Sequence, residues 1–116
     1  MIQTLRLPGW HPTRANVLLR VHWAKRSRLL GQDQQTVGIL GRQQGILKAE
    51  GKRRVSLIIQ HARTAPDPDA LLKSLFDALV KCGYLIDDKG QWCEIGSITF
   101  EKAKAKGMVI TLEDLP

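Results

Sequence analysis

The clearest periodicity in the chain lies between residues 69 and 82. Leu71, Leu72, Leu75, Phe76, Leu79 and Val80 recur at helical spacing along one stripe, which predicts an amphipathic helix buried on that side. Asp69, Lys73, Asp77 and Lys81 recur every fourth residue on the opposite side. Gly83 follows where a left-handed residue ends a helix.

Other stretches read as strands. Residues 2–7 alternate and stop at Pro8-Gly9, and Val55-Ser56-Leu57-Ile58-Ile59-Gln60 is the strongest strand pattern. Residues 94–100 and 108–112 give two more, and the segment 102–107 between them, with Lys102, Lys104 and Lys106, reads as a hairpin tip or a longer arm. Residues 17–23, apolar apart from Arg20 and His22, read as a strand or extended segment. Residues 10–16 form a loop, and Gly51-Lys52-Arg53-Arg54 a basic turn. Over 29–49, Leu29, Leu30, Val37, Leu40 and Leu47 keep near-helical spacing, while Gly31, Gly38, Gly41 and Gly45 predict a broken or loosely packed helix.

A length of 116 residues suits one compact domain, and a 43% hydrophobic fraction allows a core. At this size a dimer would bury usefully more surface. No stretch approaches the roughly 20 apolar residues of a membrane span. Arg6, Pro8 and Gly9 interrupt the run that a signal peptide needs, so a cytoplasmic protein is expected. Cys82 and Cys93 lack zinc-type spacing and are expected as reduced thiols at the core edge.

Charge changes the picture more. The net charge is +7, and residues 1–63 hold 12 Lys/Arg against only Asp33 and Glu50, whereas residues 64–116 hold 6 Lys/Arg against 9 Asp/Glu. A basic first half beside an acid-bearing second half fits a polyanion gripped next to a cation site. The run Trp23-Ala24-Lys25-Arg26-Ser27-Arg28 offers cations to phosphates and an indole to a base or sugar. The competing reading makes Trp23 a core anchor in the first turn of a helix.

The acids concentrate at Pro66-Asp67-Pro68-Asp69 and at Asp87-Asp88. Pro68 holds Asp67 extended, so that Asp67 and Asp69 can face one point, with Asp69 as the helix N-cap. Two adjacent carboxylates repel unless a divalent ion relieves them, and Mg²⁺ takes one or two carboxylates while keeping waters for a phosphate. Lys73, one turn in, could neutralise charge developing on that phosphate. The residues fit a plain capped helix with a surface Asp69–Lys73 pair equally well. His11, His22 and His61 have no ligand spacing, and no P-loop, nucleophile elbow or dinucleotide fingerprint is present.

Asp67-Pro68-Asp69-Ala70-Leu71-Leu72-Lys73, then Asp77-Ala78-Leu79, Gly83 and Asp87-Asp88, resemble the core of the RusA family of Holliday junction resolvases. The likeness covers about half the chain, and Pro12 to Asn16 resembles the family's proline-rich loop ending in Asn. It implies one endonuclease domain over 1–116, a small α+β homodimer with a mixed or antiparallel sheet of about four strands and two main helices. The implied activity is Mg²⁺-dependent, with Mn²⁺ able to substitute and no further small-molecule cofactor: paired symmetric nicks in a four-way DNA junction, in a bacterial or phage-encoded protein of recombination and repair. Asp67, Asp69 and Asp88 would be the metal-binding and catalytic acids, Asp87 a further candidate ligand, and Lys73 the catalytic lysine, also on DNA. Arg14, Asn16, Lys25, Arg26, Arg28 and Arg63 would contact the junction arms. Two positions depart from the pattern: Ala70 replaces the usual Asn, and the link after Asp88 is about one residue longer, which leaves Asp87 and Asp88 both open as the third ligand. Ala70 also keeps open a weakly active or non-catalytic binder of branched DNA. Charge alone would allow an RNA-binding module.

Overall fold

Val55, Leu57 and Ile59 alternate along strand β2 (Arg53–His61) and are almost wholly buried. They pack beside Leu5 and Leu7 of β1 (Ile2–Pro8) and Met108, Ile110 and Leu112 of β4 (Gly107–Asp114), and this single apolar face is covered by helices. The computed structural model describes residues 1–116 and adds α1 (Ala15–Arg20), α2 (Trp23–Gln43), α3 (Pro68–Lys81) and β3 (Cys93–Lys102). The result is an α+β fold with one mixed four-stranded sheet, in the order β1-β4-β2-β3.

Only β2 and β3 run parallel; β4 is antiparallel to both β1 and β2. A parallel pair cannot be joined by a tight turn. The α3 helix supplies the crossover, laying Leu71, Leu75, Phe76, Ala78 and Leu79 against the sheet. The helix ends as its sequence requires. Gly83 takes φ +82°, and the Tyr84 and Gly83 N–H groups return to the carbonyls of Leu79 and Val80 at 2.9 and 3.0 Å.

Four expectations are corrected. Residues 17–23 are not a strand: α1 occupies most of them, and only Leu18 is buried. A short apolar run carries no period that separates helix from strand. The helix expected over 29–49 starts six residues earlier and runs unbroken to Gln43, leaving Leu47 outside. Gly31, Gly38 and Gly41 do not break it. A Cβ on Gly41 would collide with the Tyr84 ring, so the missing side chain there is what lets α2 lie against the segment after α3.

Residues 102–107 are not a hairpin tip, because β3 and β4 are not neighbours. The chain crosses the end of β2 instead, with the Ala103 N–H on the His61 carbonyl at 2.9 Å. Nor do Arg53 and Arg54 form a free basic turn. Arg53 is 2% exposed and donates to Asp114 (2.7 Å) and to the carbonyls of Leu47, Tyr84 and Lys48 (2.9, 3.0 and 3.3 Å). Arg54 spans Glu94 and Glu113 at 2.9 and 2.6 Å. Both cysteines are free thiols, Cys93 buried and Cys82 half-buried. No helix is long and apolar enough to cross a membrane.

Candidate functional site

β2 ends at His61, and after a short loop α3 opens at the same end of the sheet. The N-cap is Asp67, not Asp69. Pro68 is preorganised for the first helical position and drives the residue before it into extended backbone. Asp67 accordingly has φ −68° and ψ 124°, and its Oδ1 accepts the Asp69 N–H at 3.1 Å. One oxygen of Asp67 is thus committed to the helix and the other is free. The Asp69 carboxylate stands in the first turn, exposed and without a salt bridge. Lys73 follows one turn later, exposed on the same side and equally unpaired, so the ordinary Asp69–Lys73 surface pair does not form.

Cations gather at this end. Arg63 lies in the loop between β2 and α3 and is exposed, with its carbonyl on His61 Nδ1 at 2.9 Å. The Ser74 hydroxyl donates to the Thr13 carbonyl at 2.6 Å, so the chain entering α1 packs against the buried side of α3 in its second turn. Arg14, the N-cap residue of α1, and Asn16 follow that contact and are exposed. Lys104 and Lys106 lie on the crossing above β2. Lys25, Arg26 and Arg28 sit in the first turns of α2, exposed, although Arg26 Nε is spent on the Leu18 carbonyl at 3.0 Å.

Asp87 and Asp88 lie elsewhere. They follow the C-terminus of α3 and precede β3, at the end of the sheet where β2 and β3 begin. The Asp88 N–H bonds to Asp87 Oδ1 at 2.7 Å. The two carboxyls share a hydrogen bond that holds Asp87 below the usual carboxylate range and pushes Asp88 above it, with the charges of Asp87 and Asp77 adding to the rise at Asp88. Asp77 stands eight residues past Asp69, about 12 Å along the helix axis. No three His, Cys, Asp or Glu side chains come together as a ligand set in the single chain. Asp67, Asp69 and Lys73 thus stand at the cap and in the first turns of α3, while Asp87 and Asp88 follow its other end.

Sequence reasoning missed the device that fixes the loop beside the site. Asp33 of α2 is 5% exposed, and its Oδ2 accepts the Thr13 N–H at 3.0 Å. Burial pushes its carboxyl up, against the lowering effect of the Thr13 hydrogen bonds. The Asp33 and Ser74 bonds pin Thr13 between α2 and α3. His11 also has a structural role: its Nε2 lies 2.8 and 3.1 Å from the Gln60 and Gly107 carbonyls, tying the loop to the sheet, and carries the proton because carbonyls only accept. No protein-family model matches the chain, and no curated protein matches it.

Proposed function

We propose that this chain is a Mg²⁺-dependent, structure-selective endodeoxyribonuclease of the RusA type, resolving four-way DNA junctions by paired symmetric nicks as a homodimer. The observation that carries the reading is the opening of α3. Two carboxylates with free oxygens stand at the start of the helix, one turn from an unpaired lysine, and Arg63 is exposed in the loop that leads into it. A carboxylate pair on a helix N-terminus has hard oxygen donors suited to Mg²⁺, and the surrounding cations suit the phosphates on either side. The ion, when bound, would supply an activated water to attack phosphorus, with the 3′-oxygen leaving. Lys73 would meet the charge building on the phosphoryl oxygens, while Arg14 and Arg63 hold the backbone in register.

The homodimer supplies what one chain lacks. A two-fold pairing that runs α3 antiparallel to its mate would carry the mate's Asp87-Asp88 pair toward Asp67 and Asp69. Each metal site would then be completed across the interface, and two sites related by symmetry suit two symmetric nicks. A second reading, a weakly active or non-catalytic binder of branched DNA, is favoured by Ala70 and by the separation of the acids within one chain.

Incubating the protein with end-labelled four-way junction and with linear duplex, in Mg²⁺ or EDTA and beside Asp69→Asn, tests the reading. Symmetric nicks on the junction alone, lost in EDTA and in the variant, support it. Metal-independent binding without cleavage replaces it with the second reading, and equal cutting of linear duplex removes the junction selectivity.

A further inference from the structure

The exposed tip of α2 presents chemistry that phosphate binding does not use. Trp23, its first residue, is 71% exposed, and residues 22–28 are all exposed, so the first two turns of the helix bury nothing. The core-anchor role for Trp23 is thereby excluded. The His22 ring stands 5.4 Å from the indole at 41° and caps the helix through the Ala24 N–H at 3.3 Å. Leu19, on the preceding α1, is 80% exposed. Arg26 Nε ties this turn to the Leu18 carbonyl of α1 at 3.0 Å.

An indole this exposed offers a partner a flat apolar surface. The charge of such a partner is indicated by the neighbouring residues. No Asp or Glu precedes Asp33; Arg26 follows Trp23 by one turn on the same side of α2, and Arg20, Lys25, Arg26 and Arg28 are exposed without any salt bridge. A flat π-surface attached to anions describes a nucleotide whose base is out of its stack. Thr13 links the two regions, since Asp33 of α2 and Ser74 of α3 both hold it.

We propose that Trp23 is a base-stacking residue that takes an unpaired or unstacked base of the DNA, with the exposed cations of residues 20–28, Arg26 first among them, on the phosphates of that strand. The proposal rests on the nucleic-acid reading above and adds to it the recognition of the open branch point. It requires no metal and no cleavage.

The test is therefore run in EDTA. Wild type, Trp23→Phe and Trp23→Ala are titrated into a labelled single strand, a blunt duplex of equal length and phosphatidylglycerol vesicles, and wild type into a strand containing 2-aminopurine. Stacking predicts quenching of the 2-aminopurine by wild type. It also predicts roughly tenfold weaker single-strand binding for Trp23→Ala, within the range of an aromatic–base stack, with Trp23→Phe close to wild type and duplex binding changed less than about twofold. Unquenched 2-aminopurine overturns the proposal even if the alanine variant fails to fold. So does an equal loss on strand and duplex, no loss on either, or a loss confined to phosphatidylglycerol vesicles, which would assign the corner to a membrane surface. Stacking without nicking in Mg²⁺ would leave this proposal standing and remove the nuclease; nicking without Trp23 dependence would do the reverse.

Discussion

Asp67 caps the helix with one oxygen and leaves the other free, so under the proposed reading one side chain would serve both folding and metal binding. Lys73 has no such structural duty. Lys73→Ala is expected to leave thermal stability within about 0.5 kcal/mol and to lower the single-turnover cleavage rate by ~10²–10³-fold, as for the loss of one transition-state donor. Ala70→Asn, which restores the residue the RusA pattern carries, is expected to raise that rate. Asp33 gives a test by pH. Its native carboxyl binds a proton more tightly than the unfolded one because it is buried. Folding then takes up a proton, and stability falls as pH rises from the ordinary Asp value of 3.8 through the raised one. Asp33→Asn keeps an acceptor for Thr13 and should flatten that fall, gaining on wild type at neutral pH, whereas Asp33→Ala should lose about 1–3 kcal/mol throughout. Urea denaturation across pH reads both. The acids and Lys73 were legible in the sequence because their relation is local. Asp33, Arg53 and His11 were not, since what buries or binds them lies at Thr13, at Asp114 and Tyr84, and at Gln60 and Gly107.

Among the elements, α3 was the most legible because cap, stripe and terminating glycine agree. Pro68 and Asp67 merely move the cap two residues upstream of the expected Asp69. The α2 helix was legible only in part. Glycine has one appearance in sequence and two physical meanings here: Gly41 leaves room for Tyr84, while Gly31 has open space around its Cα. Gly31→Ala should accordingly stabilise by up to ~1 kcal/mol through helix propensity. Gly41→Ala should destabilise by about 1–3 kcal/mol through overpacking. Thermal denaturation of the two variants, differing in sign, checks the packing of α2 on the α3–β3 link. The β3–β4 connection was misread because proximity in sequence favours a hairpin, and nothing local records that β2 and β4 pair with each other.

Over the whole molecule, the parallel β2–α3–β3 unit fixes where chemistry can lie. Asp67, Asp69, Lys73, Arg14, Arg63 and the 103–106 crossing share the end where β2 and β3 finish, and Asp87-Asp88 lies at the other. The acids are thus divided, with Asp67, Asp69 and Glu101 at the end where β2 and β3 finish and Asp87, Asp88, Glu94, Glu113 and Asp114 toward the other. If the proposed nuclease reading holds, the separation of the two acidic pairs makes it depend on dimerisation. Cleavage should fall off with dilution through the dimer dissociation range, and both opposed strands of a junction should be cut by one dimer.

The most direct test is the single-turnover cleavage rate of a four-way junction in Mg²⁺ by wild type and by Asp67→Asn. Asn is as good an N-cap as Asp, so the variant keeps the helix and the fold. The account predicts equal thermal stability, equal junction affinity in EDTA and a cleavage rate lowered at least about 100-fold. An unchanged rate in Asp67→Asn, or a wild type that binds the junction and never nicks it in Mg²⁺ or Mn²⁺, would contradict it.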